Sequence, residues 1–272
     1  MLTAALLSIQ LVSGAPARTI YGAPRAVPEQ STPTLDIEFE LFAGWASDYV
    51  FRGIELLEPT GQEDSSVYPM RARVELMPGE PVSVFAELFA VAGESDPFDG
   101  FGTYQPSVGV TLSPDDGLRL TLGHTTFLYP TVDLDTNEIF ATAEVDLLRS
   151  GDGAAFTTVF ALGTYDYDRF DGVYGEVGLT TRLPGLDSDV LRFEAAIAVI
   201  DSYDELFGGD GSGLQHYRVG LVSEIELNEL LNVSRQRGRV FLDSELFYTD
   251  GIEGGLRAET QLWGGVGLRI SY

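Results

Sequence analysis

Apolar and polar residues alternate with a period of two through most of this chain. In the segment 137–148, for example, Ile139 and Val145 fall on one side, whereas Glu138 and Glu144 fall on the other. Because successive side chains of a β-strand point to opposite faces, this period predicts strands with one apolar and one charged face. About twelve strands are predicted, at 36–51, 67–77, 81–92, 103–113, 117–128, 137–148, 154–165, 172–183, 190–200, 214–226, 239–249 and 260–272.

The connections between these strands alternate in length. Short ones such as 77–81 and 113–117 are preceded by long ones such as 52–66 and 93–102. The connection 165–172 is predicted to be among the longer ones, and the longer 228–238 is the exception to the alternation. Such alternation is typical of outer-membrane barrels, which have short periplasmic turns and longer external loops. We therefore predict an all-β fold, a single closed antiparallel up-and-down transmembrane β-barrel with both termini on the periplasmic side.

Two further features favour a membrane barrel over a soluble one, which alternation by itself also fits. The apolar faces are about ten residues long, as in tilted strands that cross a bilayer, and the charges stay on the opposite face. The chain also ends on an aromatic residue, Tyr272, inside a predicted strand. A terminal aromatic strand resembles the assembly signal of outer-membrane barrels, and Tyr272 is predicted to have that role.

The first predicted strand contains the stretch "GWASDYVFRGIEL", in which aromatic and charged residues fall on different faces. Trp45, Tyr49 and Phe51 are predicted to form part of an aromatic girdle at the outer membrane interface, where amphipathic rings prefer to lie. Asp48 and Arg52 are predicted to face the lumen and to form an ion pair. In a soluble strand, the same aromatics would lie on an exposed surface.

The segment "SDYVFRGIEL", Ser47–Leu56, also resembles the S-D-Y-x-F-R-G motif near the N-terminus of the TorF-type porins, a family of small bacterial outer-membrane barrels. The family typically continues with a Ser-Gln pair, whereas this chain has Glu55 and Leu56. The resemblance implies an outer-membrane location and a channel role, and it supplies no catalytic residues. The matched motif residues are Ser47, Asp48, Tyr49, Phe51, Arg52 and Gly53.

Charged residues of both signs collect on the face that a membrane barrel turns inward, with acidic residues in excess. Arginine suits an acidic interior because its planar fork can hold two carboxylates. The charges could line a selective pore, or they could form a packed salt-bridge network that closes a small barrel. The residues predicted to line the pore are Asp48, Arg52, Arg71, Arg73, Glu75, Arg119, Glu144, Asp146, Glu176, Arg192, Glu194, Arg218, Glu224 and Arg269. The same face also carries Glu38, Glu40, Glu87, Glu138, Arg182, Asp243 and Glu245.

Composition narrows the class of protein. The chain has 272 residues and a formal net charge of −26, and this charge argues against a nucleic-acid partner. Its hydrophobic share of 44% excludes global disorder. The chain has no cysteine, which excludes disulfides and thiolate chemistry.

The N-terminal region is predicted to be removed or flexible. Residues 1–17 form an apolar run that ends in an A-x-A-like site, and they are predicted to be a signal peptide. The alternative is a buried N-terminal helix. Residues 18–35 are rich in proline and are predicted to form a flexible tail, so the barrel domain is predicted to span 36–272.

No motif predicts an enzyme, a metal site or a cofactor. His124 is predicted on the lipid side and His216 in the lumen, and carboxylate pairs such as Glu144 and Asp146 are expected by chance on an acidic face. The acidic segments 133–138 and 208–213 lack the ligand spacing of a calcium loop. We interpret such segments as solvated external loops that attract cations, with divalent ions bridging them to lipopolysaccharide.

The sequence therefore predicts a porin-like channel in a bacterial outer membrane, exported through the periplasm and open to small polar solutes or ions, with a preference for cations. Its predicted partners are membrane lipid, lipopolysaccharide and the barrel-assembly machinery. Two alternatives remain open at this point. One is a structural or adhesive outer-membrane barrel with a plugged lumen, and the other is a soluble secreted β-barrel that binds a ligand.

Overall fold

The chain forms a closed barrel of twelve antiparallel strands, which confirms the predicted fold. The computed structural model describes residues 36–47, 50–51, 54–55, 66–93, 100–115, 117–130, 135–149, 155–183, 191–201, 212–252 and 260–272. The predicted signal peptide and tail, 1–35, lie outside these residues. In chain order the strands are β1 (Ile37–Ala46), β2 (Val50–Phe51), β3 (Ile54–Glu55), β4 (Val67–Leu76), β5 (Val82–Gly93), β6 (Gly100–Asp115), β7 (Leu118–Phe127), β8 (Thr136–Arg149), β9 (Ala155–Asp166), β10 (Gly172–Arg182), β11 (Leu191–Asp201), β12 (Gly213–Glu226), β13 (Arg239–Gly251) and β14 (Gln261–Ser271).

The barrel closes where its first and last strands meet. β1 pairs with β4 on one side and with β14 on the other, so no strand edge is left open. Backbone hydrogen bonds in both directions join Phe39 and Tyr272, at 2.9 and 2.8 Å. We call the end of the barrel that carries Ile37 and Tyr272 the terminal end, and the opposite end the loop end.

The first strand is shorter than the sequence predicts. The strand predicted at 36–51 ends as the barrel strand β1 at Ala46, and Ala46–Val67 is the last pair that joins it to β4. Val50 and Phe51 instead form β2, which pairs with β3 in a separate two-stranded sheet. The period of two continues past Ala46 in the sequence, but β4 begins at Val67 and offers no partner there, although Ser47 still donates a backbone hydrogen bond to Gly264 of β14 at 2.9 Å.

The connections follow the predicted alternation only in part. The turn 77–81 at the terminal end is tight, and at the same end only two residues separate β6 from β7. The connection 167–171 at the loop end, predicted to be among the longer ones, is equally short. The connection between β12 and β13 contains a 3-10 helix, Arg235–Arg237. No helix within the described part of the chain is long and apolar enough to span a membrane.

The outer wall of the barrel is apolar. Side chains such as Leu122 and Leu262 are 60% and 68% exposed, although residues of this type are usually buried in a protein that folds in water. The buried residues point inward, and they include aromatic side chains such as Phe85 and Phe140 together with many charged ones. Thus the barrel has a mixed aromatic and ionic interior inside an apolar wall.

Candidate functional site: the barrel interior

The interior face of the barrel brings together charged residues from almost every strand. The curvature of the wall lets side chains reach past a neighbouring strand, as Arg218 of β12 does when it contacts Glu176 of β10. Asp48 and Arg52 lie outside the described residues, so their predicted ion pair stays a prediction. The structure places the following predicted residues on the interior face: Arg71, Arg73, Glu75, Arg119, Glu144, Asp146, Glu176, Arg192, Glu194, Arg218, Glu224 and Arg269.

Arg269 is the centre of an ionic cluster near the closing seam. Its guanidinium contacts Asp243 at 2.7 Å, Glu40 at 3.3 Å and the carboxylate of Glu224. Arg71 contacts the other oxygen of Glu40 at 2.5 Å. The cluster therefore joins β1, β4, β12, β13 and β14, the strands on both sides of the seam. Removing one charged residue of the cluster would leave the remaining charges buried without enough opposite charge to offset their desolvation.

A second cluster lies on β4 and β5. Arg73 contacts Glu75 at 3.1 Å and Glu87 at 3.4 Å. The Ser83 hydroxyl donates a hydrogen bond of 2.6 Å to Glu75. The Arg73 guanidinium also lies over the ring of Phe85, so the cation has an aromatic face as well as two carboxylates around it.

A third cluster surrounds Arg218. Its guanidinium lies 2.9 Å from Glu176 and 2.8 Å from Glu194. The hydroxyl of Tyr174 donates to Glu176 at 2.9 Å, and that of Thr180 donates to Glu194 at 3.2 Å. As in the other clusters, one arginine is matched by more than one carboxylate, so the pairing leaves an excess of negative charge.

Other interior charges are open to water. Arg119 and Glu144 form a 3.0 Å ion pair whose side chains are 36% and 25% exposed. Asp146 accepts a hydrogen bond from Thr158 at 2.9 Å and is half-buried. Glu245 points into the barrel from β13, is exposed, and has no hydrogen-bond partner among the described residues. These groups are the ones that a solute inside the barrel would meet.

Phenylalanine rings line the interior by leaning over glycines of the neighbouring strand. Phe85 pairs directly with Gly109, and a Cβ built at Gly109 would lie 2.5 Å from the ring. Glycine is needed there because any side chain would collide with the ring. These pairs cannot be predicted from the sequence alone, since each depends on the register between strands. The same arrangement joins Phe140 to Gly123, Phe160 to Gly178 and Phe247 to Gly220.

Water reaches the two halves of the interior to different degrees. The exposed groups Arg119, Glu144 and Glu245 lie toward the terminal end or near mid-height of their strands. Interior residues toward the loop end are almost completely buried. Examples that are no more than 2% exposed are Val67, Val91, Thr103, Phe127, Tyr129, Tyr174, Ala198, His216 and Thr249. Water therefore reaches part of the interior near the terminal end, where Glu75 and Phe241 are nonetheless buried, and does not reach the loop-end residues just named.

Aromatic side chains on the outer wall gather at the loop end. Trp45 is exposed there, as predicted. Tyr49 lies outside the described residues, and Phe51 belongs to β2 rather than to a barrel strand. Further members were not predicted, although each occupies an outward position near the loop end of its strand. They are Tyr68, Tyr165, Tyr217 and Tyr248. The predicted assembly residue, Tyr272, is exposed at the terminal end.

The two histidines lie on opposite faces of the wall and therefore do not share a site. Nε2 of His124 lies 2.8 Å from the hydroxyl of Tyr167 on the outside. His216 is buried inside, and its ring centroid is 6.4 Å from that of Tyr174. Within the described ranges, no group of three or more His, Cys, Asp or Glu side chains is arranged to hold a metal ion. Of the acidic segments, the parts within those ranges are 135–138 and 212–213.

Comparisons with known proteins find solved structures with a similar fold but no match by sequence. No protein-family model matches the chain, and no curated protein matches it. A solved structure reported as "Unveiling the Mechanism Behind the in-meso Crystallization of Membrane Proteins" is 10% identical with a TM-score of 0.51, and the alignment covers 86% of this chain and 83% of that one.

A porin structure and an outer membrane channel structure align over similar lengths. The NanC porin is 10% identical with a TM-score of 0.47, over 85% of this chain and 98% of that one. An outer membrane channel from Pseudomonas putida F1 is 10% identical with a TM-score of 0.46, over 91% and 100%. At these identities, likeness to solved structures extends to the fold alone. The resemblance to TorF-type porins rests on Ser47–Leu56.

Proposed function

We propose that this chain forms a channel in a bacterial outer membrane that passes small polar solutes and ions, with a preference for cations. The observation that carries the proposal is a closed barrel with an apolar outer wall and an interior in which charged side chains, Glu245 among them, are open to water. An enzyme would need a reactive side chain held in contact with the groups that activate it, and we assign no such catalytic role to either histidine.

The outer wall supports a membrane location. A belt of exposed leucine, valine and isoleucine side chains would cost free energy in water and would favour aggregation, whereas acyl chains solvate it. Closure of the barrel pairs the backbone groups that lipid cannot satisfy. The exposed aromatics at the loop end occupy the position of an interfacial girdle. A soluble ligand-binding barrel would present the opposite arrangement of faces.

The excess of interior carboxylates supports a preference for cations. The three clusters together contain four arginines and seven carboxylates, so little positive charge remains to attract anions. Glu245 adds a carboxylate without a hydrogen-bonded partner near the Arg218 cluster. The net charge of −26 also raises the concentration of cations around the protein.

We extend the proposal to orientation and partners. The loop end would face the cell exterior, with acidic loops and divalent cations next to lipopolysaccharide, and the terminal end would face the periplasm. The pairing of Tyr272 with Phe39 at the closing seam supports a role for the last strand in assembly by the barrel-assembly machinery. Export would use residues 1–17 as a signal peptide, with 18–35 as a flexible tail.

A planar-bilayer recording tests the proposal. The purified protein should produce discrete current steps in potassium chloride, and a salt gradient should give a reversal potential of the sign expected for cation flow. Anion selectivity would contradict the assignment of the interior charges. Recovery of the protein as a soluble monomer without detergent would contradict the membrane location.

One observation favours a second candidate, a structural or adhesive barrel with a plugged lumen. The interior residues toward the loop end, such as Val91 and Thr103, have no exposed surface. A barrel that is permanently closed at that end would conduct no current at any voltage while remaining folded and resistant to heat. The same bilayer recording therefore separates the two candidates.

A further inference from the structure

The connection between β12 and β13, residues 227–238, is longer than the tight turns at the same end and is folded on itself. Asn228 is buried at its base and makes three hydrogen bonds. Its amide nitrogen donates to the carbonyls of Val233 and Gly238 at 3.2 and 2.8 Å, and its oxygen accepts from the backbone N–H of Val240 at 2.7 Å. These bonds hold the connection in one conformation, so its other side chains occupy defined positions.

Two leucines lie at the tip of this connection. Leu230 is 81% exposed and Leu231 is 51% exposed. Neither side chain packs into the barrel, although hydrogen bonds hold the turn around them in one conformation. In water, Leu230 would leave most of its apolar surface uncovered and Leu231 about half, which is unfavourable. A bilayer surface would remove that cost.

Arginines accompany the leucines. Arg235, Arg237 and Arg239 alternate within five residues of a chain whose net charge is −26. Glu226 holds Arg235 at 2.5 Å and Arg239 at 3.0 Å, yet both arginine side chains stay largely exposed. Arg237 is exposed as well. Guanidinium groups bind phosphate readily, so this segment has the charge that suits phospholipid head groups.

The connection also continues from the apolar outer wall. Ile225 of β12 is exposed immediately before it, and Leu268 and Ile270 are exposed on the nearby strand β14. Exposed leucines next to a lipid-facing wall, with arginines beside them, are typical of segments that lie in a membrane interface.

We propose that residues 227–238 form a lipid anchor at the terminal end of the barrel, an inference that rests on the membrane orientation proposed above. Leu230 and Leu231 enter the acyl-chain border of the inner leaflet, and the exposed arginines contact phospholipid phosphates. The anchor fixes the height and tilt of the barrel on its β12–β13 side, independently of conduction.

The absence of cysteine from the chain makes the test direct. A nitroxide spin label is attached to Leu230→Cys, and the protein is reconstituted into vesicles of phosphatidylethanolamine and phosphatidylglycerol. Collision rates with oxygen, which concentrates in lipid, and with a water-soluble nickel complex report the surroundings of the label. Leu268→Cys on the outer wall and Glu80→Cys on the β4–β5 turn are the lipid and water controls.

The label at Leu230 should resemble that at Leu268, with frequent oxygen collisions and few nickel collisions. A label that behaves like that at Glu80 would overturn the anchor. A label shielded from both reagents would also overturn it, and would point to a protein contact with a second copy. If the Leu268 control itself were not exposed to lipid, the membrane orientation would fail rather than the anchor alone.

A second variant tests the arginines. Arg237→Glu places a carboxylate where a phosphate is expected, and it should shift the Leu230 label toward nickel accessibility in the same vesicles. Arg237→Gln removes the charge without repulsion and should cause a smaller shift. An unchanged label in Arg237→Glu would remove phosphate binding from the proposal.

Discussion

The guanidinium of Arg73 lies over the ring of Phe85, with its Cζ 4.0 Å from the ring centroid. The same ring leans over Gly109 on the neighbouring strand. The Phe85 ring thus contacts both a cation and the backbone of the adjacent strand. The cation itself binds two carboxylates. Such combined contacts hold the interior of the barrel together.

Gly109→Ala should destabilise the barrel. The added methyl group would meet the Phe85 ring, and overpacking of this kind costs about 1–3 kcal/mol. The midpoint of urea unfolding, measured in detergent, should fall accordingly. Gly163→Ala is the matched control, because a Cβ at Gly163 on the outer wall meets no atom within 4 Å. Equal midpoints for the two variants would show that the ring moves aside freely.

Arg269→Met should weaken the closing seam. The change leaves Glu40, Glu224 and Asp243 without their shared cation, and breaking a buried ion pair costs about 3–5 kcal/mol. The folded band on unboiled gels should lose heat resistance. Arg235→Gln removes an exposed arginine that pairs with Glu226, and it should lower the free energy of unfolding by at most about 1 kcal/mol. If Arg269→Met were as stable as this control, the cluster would not hold the seam.

Glu245→Gln should reduce the preference for cations. One interior charge at about 4 Å from a passing ion in water contributes about 1 kcal/mol, so the cation-to-anion permeability ratio should fall by up to about fivefold. The reversal potential in a salt gradient measures that ratio. Glu80→Gln makes the same charge change on a turn outside the lumen and should leave the ratio nearly unchanged. An unaltered ratio in Glu245→Gln would remove this residue from the ion path.

The two tryptophans of the chain should report opposite sides of the wall. Trp45 is exposed on the outer wall, whereas Trp263 lies inside, stacked on Phe247 with its Nε1 donating to Thr249 at 3.1 Å. In vesicles that contain brominated lipid, the tryptophan fluorescence of Trp263→Phe should still be quenched by the bromine, because Trp45 remains. The fluorescence of Trp45→Phe should lose most of that quenching. The reverse pattern would mean that the wall is turned inside out.

The strands and their faces followed from the sequence because alternation is a local property. Each side chain of a strand points to one face or the other whatever its partner, so Arg71 and Glu144 could be assigned to the interior without knowledge of the pairing. The first strand shows where that reasoning ends. Alternation continues to Phe51, but the barrel strand stops at Ala46, because strand length depends on the neighbour as well.

The sequence by itself therefore determined a barrel with an apolar outside and a charged inside, since periodicity and charge placement are written along one strand at a time. Only the tertiary structure decided which charges meet. Arg218 binds Glu176, which is 42 residues away and two strands distant, because register and wall curvature bring them together. It also decided that Glu245 stays open to water while Glu40 is buried, since burial depends on how side chains from opposite walls fill the enclosed space.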